Sequence, residues 1–170
     1  MPPSSPVLRI LGIDPGSRFT GWGVIGGTSA RPTHIDGGVI CLGGRLPLAD
    51  RLYQLQQELE QIVARHELSS AAVESPFHGN NAQSALTLAH ARGVVLAVLA
   101  GAGLPVHEYS PATVKKSVTG NGRADKRQVQ VMVFQLLQQS ADDKSTDLSD
   151  AWAVALCHAS HRQLTERLAR

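Results

Sequence analysis

Cysteine is scarce in this chain, with two in 170 residues, Cys41 and Cys157. That is too few for a disulfide scaffold. Both sit in apolar runs (VICLGG and VALCHA), which predicts buried free thiols in a reducing compartment. Aromatics are also scarce, at 4%, so an aromatic in a polar loop stands out. Neither sign of charge dominates: 16 Lys+Arg against 14 Asp+Glu leave a net charge of +2. That balance does not establish nucleic-acid binding, and the distribution of the cations has to decide it. Long apolar runs are missing. The longest uncharged apolar stretch, residues 93–106, falls short of the ~20 residues that span a bilayer, so no membrane segment is expected. The lead MPPSSPVLR has no basic region followed by an apolar one, which predicts no signal peptide and a cytoplasmic protein. Repeats, low-complexity tracts and an interdomain linker are absent as well.

What is present is a folding composition, 42% hydrophobic and 18% charged. The length fits one domain, which would bury roughly 70% of the surface that its unfolded chain exposes. Residues 1–6 read as a mobile Pro/Ser lead, and residues 7–170 as a single domain. Residues 7–14 (VLRILGID) read as a buried strand stopped by Pro15-Gly16-Ser17. Residues 20–25 and 34–42 read as two more strands, and the Gly-rich connections suggest an antiparallel meander. The period then changes. Leu48, Leu52, Leu55, Leu59, Ile62 and Val63 recur every three or four residues, as on one face of a helix. A short strand follows at 71–74. A long helix, capped by Asn80 or Asn81, runs to about residue 100. Residues 105–109 form the fifth strand, and Ser110-Pro111 opens a short helix. Residues 125–138 and 146–168 read as the last two helices, with a polar loop at 140–145 between them. The order predicts an α/β fold: a mixed five-stranded sheet, three antiparallel strands then two parallel ones, with helices on both faces. The long helix is apolar nearly all round. It is either a central core helix or one that meets the sheet on one side and a second subunit on another.

Four acids stand out. Asp14 ends the first strand and Glu74 the fourth. Asp147 and Asp150, three apart at the start of the last helix, project from one face with Cβ atoms ~5–6 Å apart. Each has a plain structural explanation: a turn at Asp14-Pro15-Gly16, a solvated strand end at Glu74, helix capping at Asp147 and Asp150. Together they suggest more. If the first and fourth strands are parallel neighbours, their C-terminal ends share one sheet edge, where sites form in open α/β sheets. Two carboxylates 4 Å apart repel by about 4 kcal/mol at an effective dielectric of 20, so such a cluster is tolerated mainly around cations. Oxygen-only ligands select a hard ion, Mg²⁺ or Mn²⁺. Two such ions ~3.5–4 Å apart would clamp a phosphodiester for in-line hydrolysis.

These residues resemble the RuvC family of Holliday-junction resolvases, within the ribonuclease H-like fold. The likeness rests on ILGIDPGSRFTGWGV, VESPFHGNNAQSALTLAHARGV, EYSPATVKKSVTGNGRADKRQVQ and DLSDAWAVALCH, and spans roughly residues 7–158. By this resemblance Asp14, Glu74, Asp147 and Asp150 match the family's metal-binding catalytic acids. All four positions are acidic here, where some members carry His at the position of Asp147. The resemblance implies two Mg²⁺ ions per active site, with Mn²⁺ able to substitute. It also implies a homodimer that nicks four-way junction DNA symmetrically in recombination and repair. The RuvA–RuvB branch-migration complex is the implied partner.

Lys115, Lys116, Arg123, Lys126 and Arg127 fall within 13 residues around Gly120-Asn121-Gly122. They read either as a solvated loop and helix face or as a phosphate-neutralising surface. In the resemblance Lys115 and Lys126 fall on DNA-contacting positions; Lys116, Arg123 and Arg127 are added on charge alone. Phe77, in a polar loop three residues after Glu74, either packs under its own loop or stacks on an unpaired base. The matching family position is an aromatic that contacts DNA. His78 is a weaker DNA candidate. His107 reads as an ordinary strand residue, His158 as packing or as support behind the metals, and Trp22 and Trp152 as core.

Three other functions compete. A junction-binding protein that does not cut would not need four acids. An RNA-processing nuclease of the ribonuclease H-like fold would use the same ones. The Asp14-to-Ser17 turn followed by TGWGV also resembles the first phosphate loop of actin-like ATPases, which need a second copy of the fold that 170 residues cannot hold.

Overall fold

The structure, a computed structural model, describes residues 8–28, 30–75, 82–140 and 146–168. The expected lead over residues 1–6, the Asn80 or Asn81 cap and most of the 140–145 loop lie outside them. The elements follow the expected order: β1 (Ile10–Asp14), β2 (Phe19–Thr28), β3 (Arg31–Cys41), α1 (Leu48–Arg65), β4 (Ser70–Glu74), α2 (Ala82–Gly101), β5 (Val106–Tyr109), α3 (Pro111–Thr119), α4 (Lys126–Leu137) and α5 (Thr146–Leu168). The sheet order is β3-β2-β1-β4-β5. β1, β2 and β3 pair antiparallel, and β4 and β5 join in parallel. β2 and β3 extend further toward their hairpin than the apolar pattern suggested. A bulge at Val24/Ile25 and Gly27, with φ of 85°, carry the pairing through residues whose glycines read as connection.

Strand alternation divides the core. Leu11, Ile13, Trp22, Val24, Ala71 and Val73 face α1 and α2. Ile10, Ile25 and Ala72 face α3, α4 and α5. Because side chains alternate with period two, Asp14 and Glu74 project from the same face as Ile10 and Ala72, toward α5. Helix α5 lies flush on that face. A Cβ on Gly12 would collide with the Ala151 carbonyl, and one on Gly21 with the Asp147 carbonyl. These two glycines let the helix backbone approach β1 and β2 closely, which sets the height of its first turn. Trp152, 1% exposed, crosses Gly23 and Gly37 and donates from Nε1 to the Asp36 carbonyl at 3.1 Å. Trp22 is buried on the opposite face. Both tryptophans are core, as expected.

Two expectations need correction. Cys157 is buried, but Cys41 is exposed. It ends β3, the edge strand, opposite the exposed Phe19. The long helix α2 is not a central core helix. Only Ala91, Val95 and Leu99 are buried along it, and Leu86 is 55% exposed. Its 20 residues are long and apolar enough, by length and composition, to cross a membrane, although the 93–106 run was too short. The helix begins earlier than that run and includes Arg92, whose guanidinium pairs with Glu108 at 2.7 Å. The monomer covers one side of the helix, and apolar residues on its other sides, Leu86 among them, stay exposed.

Candidate metal centre and nucleic-acid interface

The rim beyond β1 and β4 collects the acids. One carboxylate oxygen from each of Asp14, Asp147 and Asp150 lies within 4.8 Å of the others. Glu74 stands outside this mutual set, one strand further across the sheet. It is coupled to the set by charge: it raises the pKa of Asp14, and Asp150 raises its own.

The electrostatics show a cluster without enough counter-charge. Burial, then the negative charges of Glu74, Asp150 and Asp147, push Asp14 up to about 8. Burial and Asp150 push Glu74 up to about 7. Asp150 is also raised, chiefly by burial, although Lys126 pulls against the shift. Lys126 Nζ sits 2.9 Å from Asp150 Oδ2, and this ion pair in turn raises the Lys126 pKa. Carboxylates with oxygen donors only, crowded into one rim, fit a divalent hard cation. Among the described residues no other group of three or more potential ligands converges in this way.

The basic segment borders the acids. Ser110 caps α3, accepting from Thr113 N at 3.2 Å, and Gly120 ends it with φ of 77°. The Asn121 side chain accepts from Arg123 N at 2.9 Å, and Asp125 opens α4 in a reciprocal box with Gln128. These caps fix the turn from α3 to α4 and bring Lys115 and Lys126 to the acids. Lys115, half-buried, lies near enough to lower Glu74 and Asp150. Lys116 on α3, Arg123 in the turn and Arg127 on α4 are exposed. Phe77 and His78 lie outside the described residues.

Sequence reasoning placed Lys126 on DNA and missed its bond to Asp150. Its position one residue past the Asp125 cap says which way α4 starts, but not which helix it meets. The glycines that seat α5 were missed too, although Gly12, Gly21 and Gly23 alternate on one face. His158 belongs to a separate polar cluster further along α5. Its Nδ1 hydrogen-bonds with the Tyr109 hydroxyl at 2.8 Å, its Nε2 meets Ser70 Oγ at 3.1 Å, and His107 stacks on it at 4.2 Å. That is packing, one of its two expected roles.

Against known proteins, the family model "Crossover junction endodeoxyribonuclease RuvC" matches residues 10–158. The chain belongs to the RuvC family. A crossover junction endodeoxyribonuclease RuvC from Parvibaculum lavamentivorans is 48% identical over 162 residues, covering 95% of this chain and 92% of the relative. The structure of T. thermophilus RuvC in complex with a Holliday junction substrate superimposes with a TM-score of 0.88 at 30% identity, over 93% of this chain and 96% of that one. The yeast mitochondrial Holliday junction resolvase Ydc2 shares the fold at a TM-score of 0.67 and 13% identity, over 98% of this chain and 85% of that one. The mixed sheet and its helices are therefore the ribonuclease H-like architecture of RuvC proteins.

Proposed function

We propose that this chain is a structure-selective endodeoxyribonuclease that resolves four-way DNA junctions by paired symmetric nicks. The observation that carries the reading is the convergence of Asp14, Asp147 and Asp150 within 4.8 Å on a rim flanked by lysines. Asp14, Glu74, Asp147 and Asp150 would hold two Mg²⁺ ions, with Mn²⁺ as a substitute. When bound, such ions supply a water nucleophile at neutral pH and charge stabilisation for the leaving 3′ oxygen. The protein supplies the rest. β1, β4 and α5 hold the carboxylates at one level, and burial keeps water from screening them. Lys126 and Lys115 bring positive charge to the scissile phosphate at the rim. Lys116, Arg123 and Arg127 neutralise flanking phosphates. Phe77 would stack on an unpaired base at the junction centre.

Two symmetric nicks need two sites related by a two-fold axis. The exposed apolar side of α2 is the surface for a second copy. It adjoins an open groove of about 530 Å³ between α1 and α2, lined by Val63, Ala64, Val94, Ala97 and Val98. The full reading is one nuclease domain over residues 7–170, acting as a cytoplasmic homodimer on junctions delivered by RuvA–RuvB. The test is a synthetic four-way junction incubated with Mg²⁺ and wild-type, Asp14→Asn or Glu74→Gln protein. Paired nicks from the wild type alone support the roles; undiminished cutting by either variant removes them. Tight junction binding by wild-type protein without any nicking, in Mg²⁺ or Mn²⁺, would leave a non-cutting binder.

A further inference from the structure

Two aromatic side chains are exposed among the described residues, Phe19 at 48% and Tyr53 at 60%. Tyr53 lies on α1, on the other side of the sheet, and bonds to Gln57. Phe19 is different. It opens β2 two residues before Gly21, which pairs with Asp14. Alternation puts Phe19 on the face of Gly21 and Gly23, the face of α5 and the acids. It therefore stands at the acid rim on the β2 side. Lys115 approaches the same rim from the side of β4 and β5, where it acts on Glu74.

The backbone beneath Phe19 is held firmly. The Arg18 carbonyl accepts from Leu42 N at 2.8 Å, Gly16 N donates to Thr20 Oγ1 at 3.3 Å, and Arg51 Nη1 donates to the Ser17 carbonyl at 3.3 Å. A Cβ on Gly16 would strike the Phe19 carbonyl, so the turn is closed tightly beneath the ring. The Arg18 guanidinium lies 6.0 Å from the Phe19 ring centroid and has no carboxylate partner among the described residues. A half-exposed ring on a rigid turn, with an unneutralised cation beside it, suits a nucleotide: the ring stacks on a base and the cation meets its phosphate.

We propose that Phe19, with Arg18 beside it, is a stacking platform for an unpaired nucleotide next to the scissile phosphate, on the β2 flank of the acids. The proposal rests on the junction-nuclease reading and adds a substrate contact to it. The platform makes the bound strand register against the rim from both sides, Lys115 on one and Phe19 on the other.

The test places 2-aminopurine at successive nucleotides flanking the cut position of a synthetic four-way junction, in EDTA so that no strand is cut. Wild-type protein should quench the probe at one flanking position. Phe19→Ala and Phe19→Leu should lose that quench and raise KM for nicking in Mg²⁺ about tenfold, the loss of one stacked base. Phe19→Tyr should restore both, and Tyr53→Ala should change neither. Unchanged quench and KM in Phe19→Ala overturn the proposal while leaving the nuclease intact. A Phe19→Ala protein whose sedimentation shifts to the monomer overturns it in favour of a subunit contact. Wild-type protein that binds no junction removes both the platform and the function on which it rests.

Discussion

Helix α5 carries two buried polar clusters with opposite electrostatic character. At its first turn, Asp147 and Asp150 meet Asp14 in a group of like charges, and Lys126 pairs with Asp150 at 2.9 Å. Three turns on, His158 sits 2% exposed with both ring nitrogens hydrogen-bonded, to Tyr109 and Ser70. Both clusters are displaced from their ordinary titration by burial. The histidine cluster resolves the displacement internally: His158 drops to about 4, stays neutral at physiological pH and needs nothing further. The acid cluster is held by protons instead, since Asp14 is pushed up to about 8 and Glu74 to about 7 by burial and by the charge of neighbouring carboxylates, and a divalent cation can take the place of those protons. Burial alone therefore does not mark a functional site. Burial with converging like charges does, because a cation can relieve their repulsion.

The largest effect is expected at the acids. Asp14→Asn removes one ligand of the converged set, and we expect junction nicking to fall ~10³-fold or more, equivalent to several kcal/mol of metal-borne charge stabilisation. Single-turnover cleavage reads this directly. Gly21→Val attacks the seat rather than the ligand. Its side chain would strike the Asp147 backbone, so thermal unfolding should show a loss of ~3 kcal/mol, with nicking lost as the helix lifts.

Stability against pH sharpens the contrast, since the clusters carry opposite signs. Folded Asp14 keeps its proton to about 8, against 3.8 for the free side chain. Between those values the metal-free fold holds a proton that the unfolded chain has released, so its stability falls as pH rises. Asp14→Asn should flatten this slope and be the more stable protein at pH 8, by of order 2 kcal/mol, when no divalent ion is present. His158 works the other way. Below 6.5 the unfolded chain takes up a proton that the fold refuses until about 4. Its contribution is present above pH 6.5 and lost as pH falls toward 4, by roughly 1–3 kcal/mol. His158→Gln should remove that loss, as read by denaturant midpoints across the window. The smallest effect lies on the surface: Arg123→Ala or Arg127→Ala should each lower the slope of log K against log salt for junction binding by about 1.

Much of the fold was legible because period changes and turn residues agree along the chain. The switch from period two to spacings of three and four marks α1, and Ser110-Pro111 and Gly120 bracket α3. Asp14 and Glu74 were legible as strand ends, and Asp147 and Asp150 as neighbours on one helical turn. What stayed hidden depends on how elements meet. Lys126 is adjacent to its cap in sequence, yet its bond to Asp150 exists only because α4 packs beside the first turn of α5. Cys41 reads as apolar in VICLGG, yet it is the last residue of the edge strand and is exposed there. The all-round apolar pattern of α2 reads the same for a core helix as for a surface one, and with Ala91, Val95 and Leu99 its only buried residues the structure excludes the core helix.

The most direct test is a crystal grown with Mn²⁺ and read by anomalous scattering at the β1–β4 rim. The account predicts peaks coordinated by Asp14, Asp147 and Asp150, with Glu74 on a second ion and Lys126 displaced from Asp150. Full nicking activity in Mn²⁺ from protein whose crystals show no metal density among these carboxylates would contradict it.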